Sequence, residues 1–225
     1  MSLVGGMGFG DQNKLIDAAI AAGVKRFIPS EYGSNTPDKR AREIVPMFEA
    51  KFGTVNYLKS KESEISWTSL VTGPFFDWGL RVGFLGFDGS SKTATIFDDG
   101  EAEFIATNLH QIGVATVKAL EHADLTKNQY VYIGGVQTTQ NQVLAAAEKA
   151  TGTKWTVKKT STKDYIEEGR AKLQKGDFSG IANLIQGATF AKEEQLGDVS
   201  SLGLWNDKLG VPKEGLEETV KATLA

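Results

Sequence analysis

The stretch Asp11-Gln12-Asn13-Lys14-Leu15-Ile16-Asp17-Ala18-Ala19-Ile20-Ala21-Ala22-Gly23-Val24-Lys25-Arg26-Phe27-Ile28-Pro29-Ser30-Glu31-Tyr32-Gly33 decides the fold. Leu15, Ile16, Ala19 and Ala22 recur at helical spacing, and Gly23 stands where a left-handed residue closes a helix. The short apolar run over residues 24–28 is stopped by Pro29 and reads as a buried strand. A helix followed at once by a buried strand is half of a βαβ unit. The rhythm then repeats. The pattern predicts a helix over residues 45–63 and a second buried strand, Ser66-Trp67-Thr68-Ser69-Leu70-Val71, ending at Gly73-Pro74.

Beyond this point the pattern changes. Residues 93–97 and 101–107 flank Asp98-Asp99-Gly100, a turn signal that predicts a hairpin. A helix is expected over 109–120 and a strand over 129–133, closed by Gly134-Gly135. Thr139 and Gln142 have the spacing of a capping box, Val143, Leu144 and Ala147 form the apolar stripe of the helix it opens, and Gly152 ends it. After a strand over 155–159 the chain reads as amphipathic helices, with Pro212 expected as the first residue of the last one.

Composition narrows the function classes. With 40% hydrophobic and 24% charged residues over 225, the chain has the makings of a globular core. A net charge of -3, with dispersed lysines, provides no field to gather a phosphodiester backbone, so no nucleic-acid partner is expected. No run approaches the roughly 20 apolar residues that span a bilayer, and no leader opens the chain, so the expectation is a cytoplasmic protein without a membrane partner. Cysteine is absent, which removes disulfides and thiolate chemistry. His110 and His122 are the only histidines and make a metal centre improbable; each reads as structural or solvated.

A doubly wound nucleotide-binding sheet opens with a strand, a glycine fingerprint and a helix whose N-terminus receives pyrophosphate. The opening Met1-Ser2-Leu3-Val4-Gly5-Gly6-Met7-Gly8-Phe9-Gly10 invites that reading, but no G-x-G-x-x-G frame fits: the frames from Gly5, Gly6 and Gly8 meet Met7, Asp11 and Asn13. A glycine-rich strand end and loop is the simpler account.

The Gln12-led helix, the Val24-Lys25-Arg26-Phe27 strand and the Pro29-Ser30-Glu31-Tyr32-Gly33 turn, in that order, resemble the central signature of the NmrA-like family, which includes isoflavone reductase-like enzymes. The similarity continues through Lys51 and Trp67 nearly to the C-terminus. It implies an α/β fold: an incomplete doubly wound (Rossmann-like) parallel sheet, with residues 1–75 the later part of an NAD(P)-binding unit and 76–225 a smaller α+β substrate lobe whose strands return to the sheet. In the family the fingerprint lies upstream of this signature. At roughly 30 residues per βαβ unit, the expectation is a truncated form lacking roughly 70 to 80 residues.

The resemblance implies NADPH as cofactor and a small, aromatic or polyketide-like substrate, with the oligomeric state open. It marks Lys51 as the catalytic lysine, an amine able to bond the nicotinamide ribose and serve as general acid or base for a substrate oxygen. By residue type alone Lys51 reads first as a solvated helix lysine. Pro29, Ser30 and Glu31 follow a strand C-terminus, where ligands bind in open α/β sheets, or else simply stop that strand. Thr72, Gly73, Pro74 and Phe75 follow the next strand in the same way, and their family counterparts approach the nicotinamide. Plant reductases carry asparagine and cysteine where Gly73 and Pro74 stand, which leaves the pocket's lining open. Val4, Gly5 and Gly6 are assigned to the cofactor's pyrophosphate or ribose, with a plain glycine loop as the alternative.

Tyr57 and Lys61 match the Y-x-x-x-K spacing of short-chain dehydrogenases, but chance supplies such a pair roughly 0.4 times in a chain like this. Phe75, Phe76, Trp78, Phe84 and Phe87 form an aromatic stretch, better suited to core packing than to covering a substrate. Two rivals to a reductase remain: an NAD(P)-sensing regulator, and a chain without activity.

Overall fold

The computed structural model describes residues 1–225 apart from the side chain of Met7. A short 3-10 helix, Gly6–Asp11, leads into α1, Gln12–Ala21. Gly23 adopts the expected left-handed conformation just beyond it, with φ of 71°. Then come β1 (Arg26–Phe27), α2 (Lys39–Ile44), α3 (Phe48–Ser60) and β2 (Ser66–Val71), the last with the predicted bounds. They are followed by α4 (Phe76–Arg81), β3 (Phe87–Asp88), β4 (Thr93–Phe97), β5 (Phe104–Ala106), α5 (Leu109–Glu121), β6 (Gln129–Tyr132) and β7 (Val136–Thr138). The chain closes with α6 (Gln140–Thr151), β8 (Thr156–Thr160), α7 (Thr162–Gln174), α8 (Gly180–Phe190), α9 (Asn206–Leu209) and α10 (Leu216–Leu224).

β1, β2 and β6 form a parallel sheet in that order, with Phe27 opposite Trp67 and Leu70 opposite Val131. Both faces are covered, which is why these strands read as near-continuous apolar runs. Ile16 of α1 and Val55 and Leu58 of α3 pack with Phe27 and Trp67 on one face. Ala115 and Ala119 of α5 pack with Ile28, Leu70 and Val131 on the other. Burying a side chain such as Leu70 contributes about 1.5–3 kcal/mol. Beside β1 the opening residues run extended, the Ser2 amide donating to the Ile28 carbonyl at 2.8 Å.

A second sheet, β3-β4-β8, and the pair β5-β7 build the other half, around a core in which the Phe97 and Phe190 rings stack 5.2 Å apart. The predicted capping box is present: the Gln142 amide donates to Thr139 Oγ1 at 3.3 Å, and the Thr139 amide donates back to Gln142 Oε1 at 3.1 Å.

Two expectations fail. The predicted hairpin does not form, although the chain does turn: Asp98 has φ of 53°, and the Gly100 amide donates to Phe97 at 2.8 Å. Turn chemistry sets a local reversal but not the partner. β4 pairs in parallel with β8 along five residues, while β5, with all three residues buried, pairs antiparallel with β7. Pro212 does not open the last helix, which begins at Leu216. The Pro212 carbonyl instead accepts a hydrogen bond from Gln111 Nε2, and Glu214 ties the segment to the amide of Asn108 at 2.9 Å, holding it extended against the sheet.

Candidate functional site

The C-terminal ends of β1 and β2 open onto a cavity of about 660 Å3, lined by Val4, Phe9, Ser30, Tyr32, Lys51 and Phe75, with Ile112, Thr116 and neighbours on α5 as the opposite wall. Local bonding shapes its floor. Gln12, fully buried at the start of α1, accepts a hydrogen bond from the Ser30 amide at 2.8 Å, and Ser30 Oγ donates to the Val4 carbonyl at 2.9 Å. The turn after β1 is thereby fixed to the chain's opening segment. On its far side, the Gly33 carbonyl accepts the amides of Thr72 at 3.2 Å and Gly73 at 3.0 Å, so the turns after β1 and β2 form one surface.

Lys51 sits on the first turn of α3 and is only 8% exposed. Its ammonium donates to the main-chain carbonyl of Glu31 and lies 4.7 Å from the centre of the Phe9 ring, a favourable cation–π placement. The Glu31 side chain is 1% exposed; Oε2 accepts from Thr36 Oγ1 at 2.9 Å, and Oε1 has no partner. Burial pushes the Glu31 carboxyl up to about 7, against the pull of Lys51 and of the Thr36 hydroxyl. Burial also moves Lys51 down from the ordinary lysine range, partly opposed by Glu31. An amine so placed gives up its proton more readily than a surface lysine.

Of the residues expected at the site, Val4, Ser30, Lys51 and Phe75 line the cavity. Pro29, Glu31, Thr72, Gly73 and Pro74 lie behind that lining. Gly73 has φ of 63°, and a Cβ there would come within 1.9 Å of the Ile105 carbonyl oxygen, so this turn requires glycine. Pro74 accepts the Thr107 amide at 3.0 Å, which directs Phe75 to the cavity. Gly5 and Gly6 stand outside the lining; a Cβ on Gly5 would meet nothing within 4 Å.

Sequence reasoning did not single out Phe9, or the α5 wall with its Tyr32–Thr116 hydroxyl contact of 3.3 Å. Tyr57 and Lys61 are elsewhere: Tyr57 donates to Asp17 at 2.5 Å, and Lys61 pairs with Glu64 at 3.2 Å. His110 and His122 are on the surface. In the aromatic stretch, Phe76 and Phe87 are core, Trp78 is 41% exposed, and only Phe75 reaches the cavity. Among the described residues no cluster of three metal-binding side chains occurs, and no helix is long and apolar enough to cross a membrane.

Residues 2–174 match the NmrA-like family. The chain belongs to that family. An oxidoreductase of Aspergillus flavus is 34% identical over 215 residues, covering 95% of this chain and 72% of that protein. An oxidoreductase of Penicillium oxalicum is 33% identical over 230 residues, covering 99% and 73%. Among solved structures, the leucoanthocyanidin reductase–NADPH complex of Vitis vinifera superimposes with a TM-score of 0.75 at 19% identity, over 99% of this chain and 74% of that one. A structure described as AtPrR2 with NADP+ and (+)pinoresinol gives 0.75 at 24% identity, over 96% and 70%. These likenesses establish for this family member the doubly wound, Rossmann-like α/β fold of those reductases.

Proposed function

We propose that this protein is an NADPH-dependent oxidoreductase of the cytoplasm acting on a small, aromatic or polyketide-like molecule, with Lys51 as its proton-handling residue. The observation that carries the proposal is a nearly buried ammonium facing an apolar-walled cavity at the C-terminal ends of parallel strands, where open α/β sheets bind their ligands. The names of the relatives support it, since fungal relatives are called oxidoreductases and a maize relative, 30% identical over 206 residues, is an isoflavone reductase homologue.

The residues present fit the nicotinamide-ribose end of a dinucleotide: apolar walls from Phe75 and Ile112, a hydroxyl at Ser30, and one cation at Lys51. They do not fit its phosphates, because among the described residues the cavity lining holds no lysine or arginine besides Lys51, and no G-x-G-x-x-G frame occurs in the sequence. NADPH would supply the hydride. One Lys51 N–H bond is committed to the Glu31 carbonyl, which leaves the others for a substrate oxygen and gives the ammonium the part of general acid. The Phe9 ring covers one side of that ammonium. Thr72, Gly73 and Pro74 act by holding Phe75 in place, and residues 76–225 carry the substrate lobe of this proposal, with β6 returning to the first sheet.

Lys51→Met tests the assignment. NADPH consumption with a panel of phenolic and polyketide-type carbonyl compounds should fall by about 100-fold or more in the variant while the fold is kept. Equal turnover by both proteins would remove Lys51 from the chemistry and favour a nucleotide-sensing role.

A further inference from the structure

Glu31 meets Lys51 through its main chain and carries a buried carboxyl nearby. The Glu31 carbonyl receives the ammonium's hydrogen bond, and the Glu31 carboxyl lies buried close enough for mutual electrostatic influence. That buried carboxyl has no packing rationale. A buried carboxyl group with one unpartnered oxygen is destabilising relative to a satisfied group, and a glutamine or methionine would fill the volume without a charge. The surroundings are built to hold that carboxyl in position. The Arg42 guanidinium donates to the carbonyls of Thr36 at 2.6 Å and Pro37 at 2.8 Å, fixing the loop from which the Thr36 hydroxyl reaches Glu31 Oε2.

We propose that Glu31 is the positioning residue of this site: its carbonyl aims the Lys51 ammonium, and its buried carboxyl sets the pH at which that ammonium releases its proton. This rests on Lys51 being the proton-handling group. The ionisable groups around the pair agree with such a role. From α3 Lys51 acts on Glu31; from β6 come Tyr130 and Tyr132, both pushed up by burial first and so neutral around pH 7; from α2 and its approach come Arg42 and Asp38, which act on those tyrosines. Lys51 is therefore the cation that answers to the charge state of Glu31. With the carboxylate ionised the ammonium is favoured; with it protonated or replaced by an amide, burial acts on Lys51 unopposed.

The test uses reductive methylation of the 225-residue protein across pH, with the extent at Lys51 read by mass spectrometry. Only the neutral amine reacts, so the midpoint of the curve reports the proton and the plateau reports access. In Glu31→Gln the midpoint should move to lower pH, with Lys51 labelled about tenfold faster than wild type around neutrality. Thr36→Val, which weakens the carboxylate without removing it, should move the midpoint in the same direction by less and keeps the test available should the first variant fold poorly. An unchanged or raised midpoint in either variant, whatever the plateau does, overturns the proposal. That result is separable from the catalytic reading, which stands or falls on the turnover of Lys51→Met.

Discussion

The main-chain amide of Ser30 donates to the side-chain oxygen of Gln12 at 2.8 Å, both groups buried, and this bond ties the first turn of α1 to the turn after β1. Replacing Gln12 by alanine strips a buried N–H of its acceptor, and the loss should be about 1–3 kcal/mol. Urea unfolding of Gln12→Ala measures it. A loss below about 0.5 kcal/mol would mean that water replaces the bond and that the turn does not depend on Gln12.

The Glu31–Lys51 pair gives stability an unusual pH dependence. Glu31 rises from 4.5 to about 7 on folding, so the native state retains a proton that the unfolded chain releases; stability is full below 4.5 and is lost as pH rises through about 7. The magnitude is about 3 kcal/mol. Lys51, lowered on folding, has the opposite sign, and its contribution returns as pH climbs toward the ordinary value of 10.5. A trough in unfolding free energy near neutral pH is expected, and Glu31→Gln should flatten its acidic side. Parallel curves for the two proteins from acid to neutral pH would contradict this.

Gly73→Ala should destabilise by about 3 kcal/mol or more, because its Cβ meets the Ile105 carbonyl at 1.9 Å in a backbone conformation that L residues avoid. Thermal unfolding checks the loss. Tryptophan fluorescence of the same variant should change as Phe75 loses its seat beside Trp78, whose ring lies 6.4 Å from it.

Tyr57→Phe should leave turnover within about twofold of wild type, since its phenol serves Asp17 on the surface and not the cavity. A large loss of turnover in this variant would restore the Y-x-x-x-K reading.

The legible parts of the fold were those set by local chemistry. Ser66–Val71 read correctly because both its faces are covered, and the Thr139–Gln142 capping box because it is a contact between residues three apart. The partners of β4 and β5 were not legible, since a turn at Asp98–Gly100 does not specify which strand lies beyond it. At the site, Lys51 and the Pro29–Gly33 turn were visible through a resemblance carried by consecutive residues. Phe9 beneath the ammonium and the α5 wall at Ile112 and Thr116 were not, because they come to the cavity of Lys51 from segments distant in sequence. Burial of Glu31 was equally hidden: a carboxylate after a strand reads as solvent-facing until the Thr36 loop is seen to cover it.

The most direct measurement is the rate of Lys51 methylation with and without NADPH at millimolar concentration. If the cavity receives the nicotinamide-ribose end beside Lys51, NADPH should slow labelling of Lys51 by about tenfold or more while exposed Lys14 and Lys59 react as before. If Lys51 is labelled equally fast in both conditions, the cavity does not take the cofactor, and the oxidoreductase assignment loses its footing in this chain.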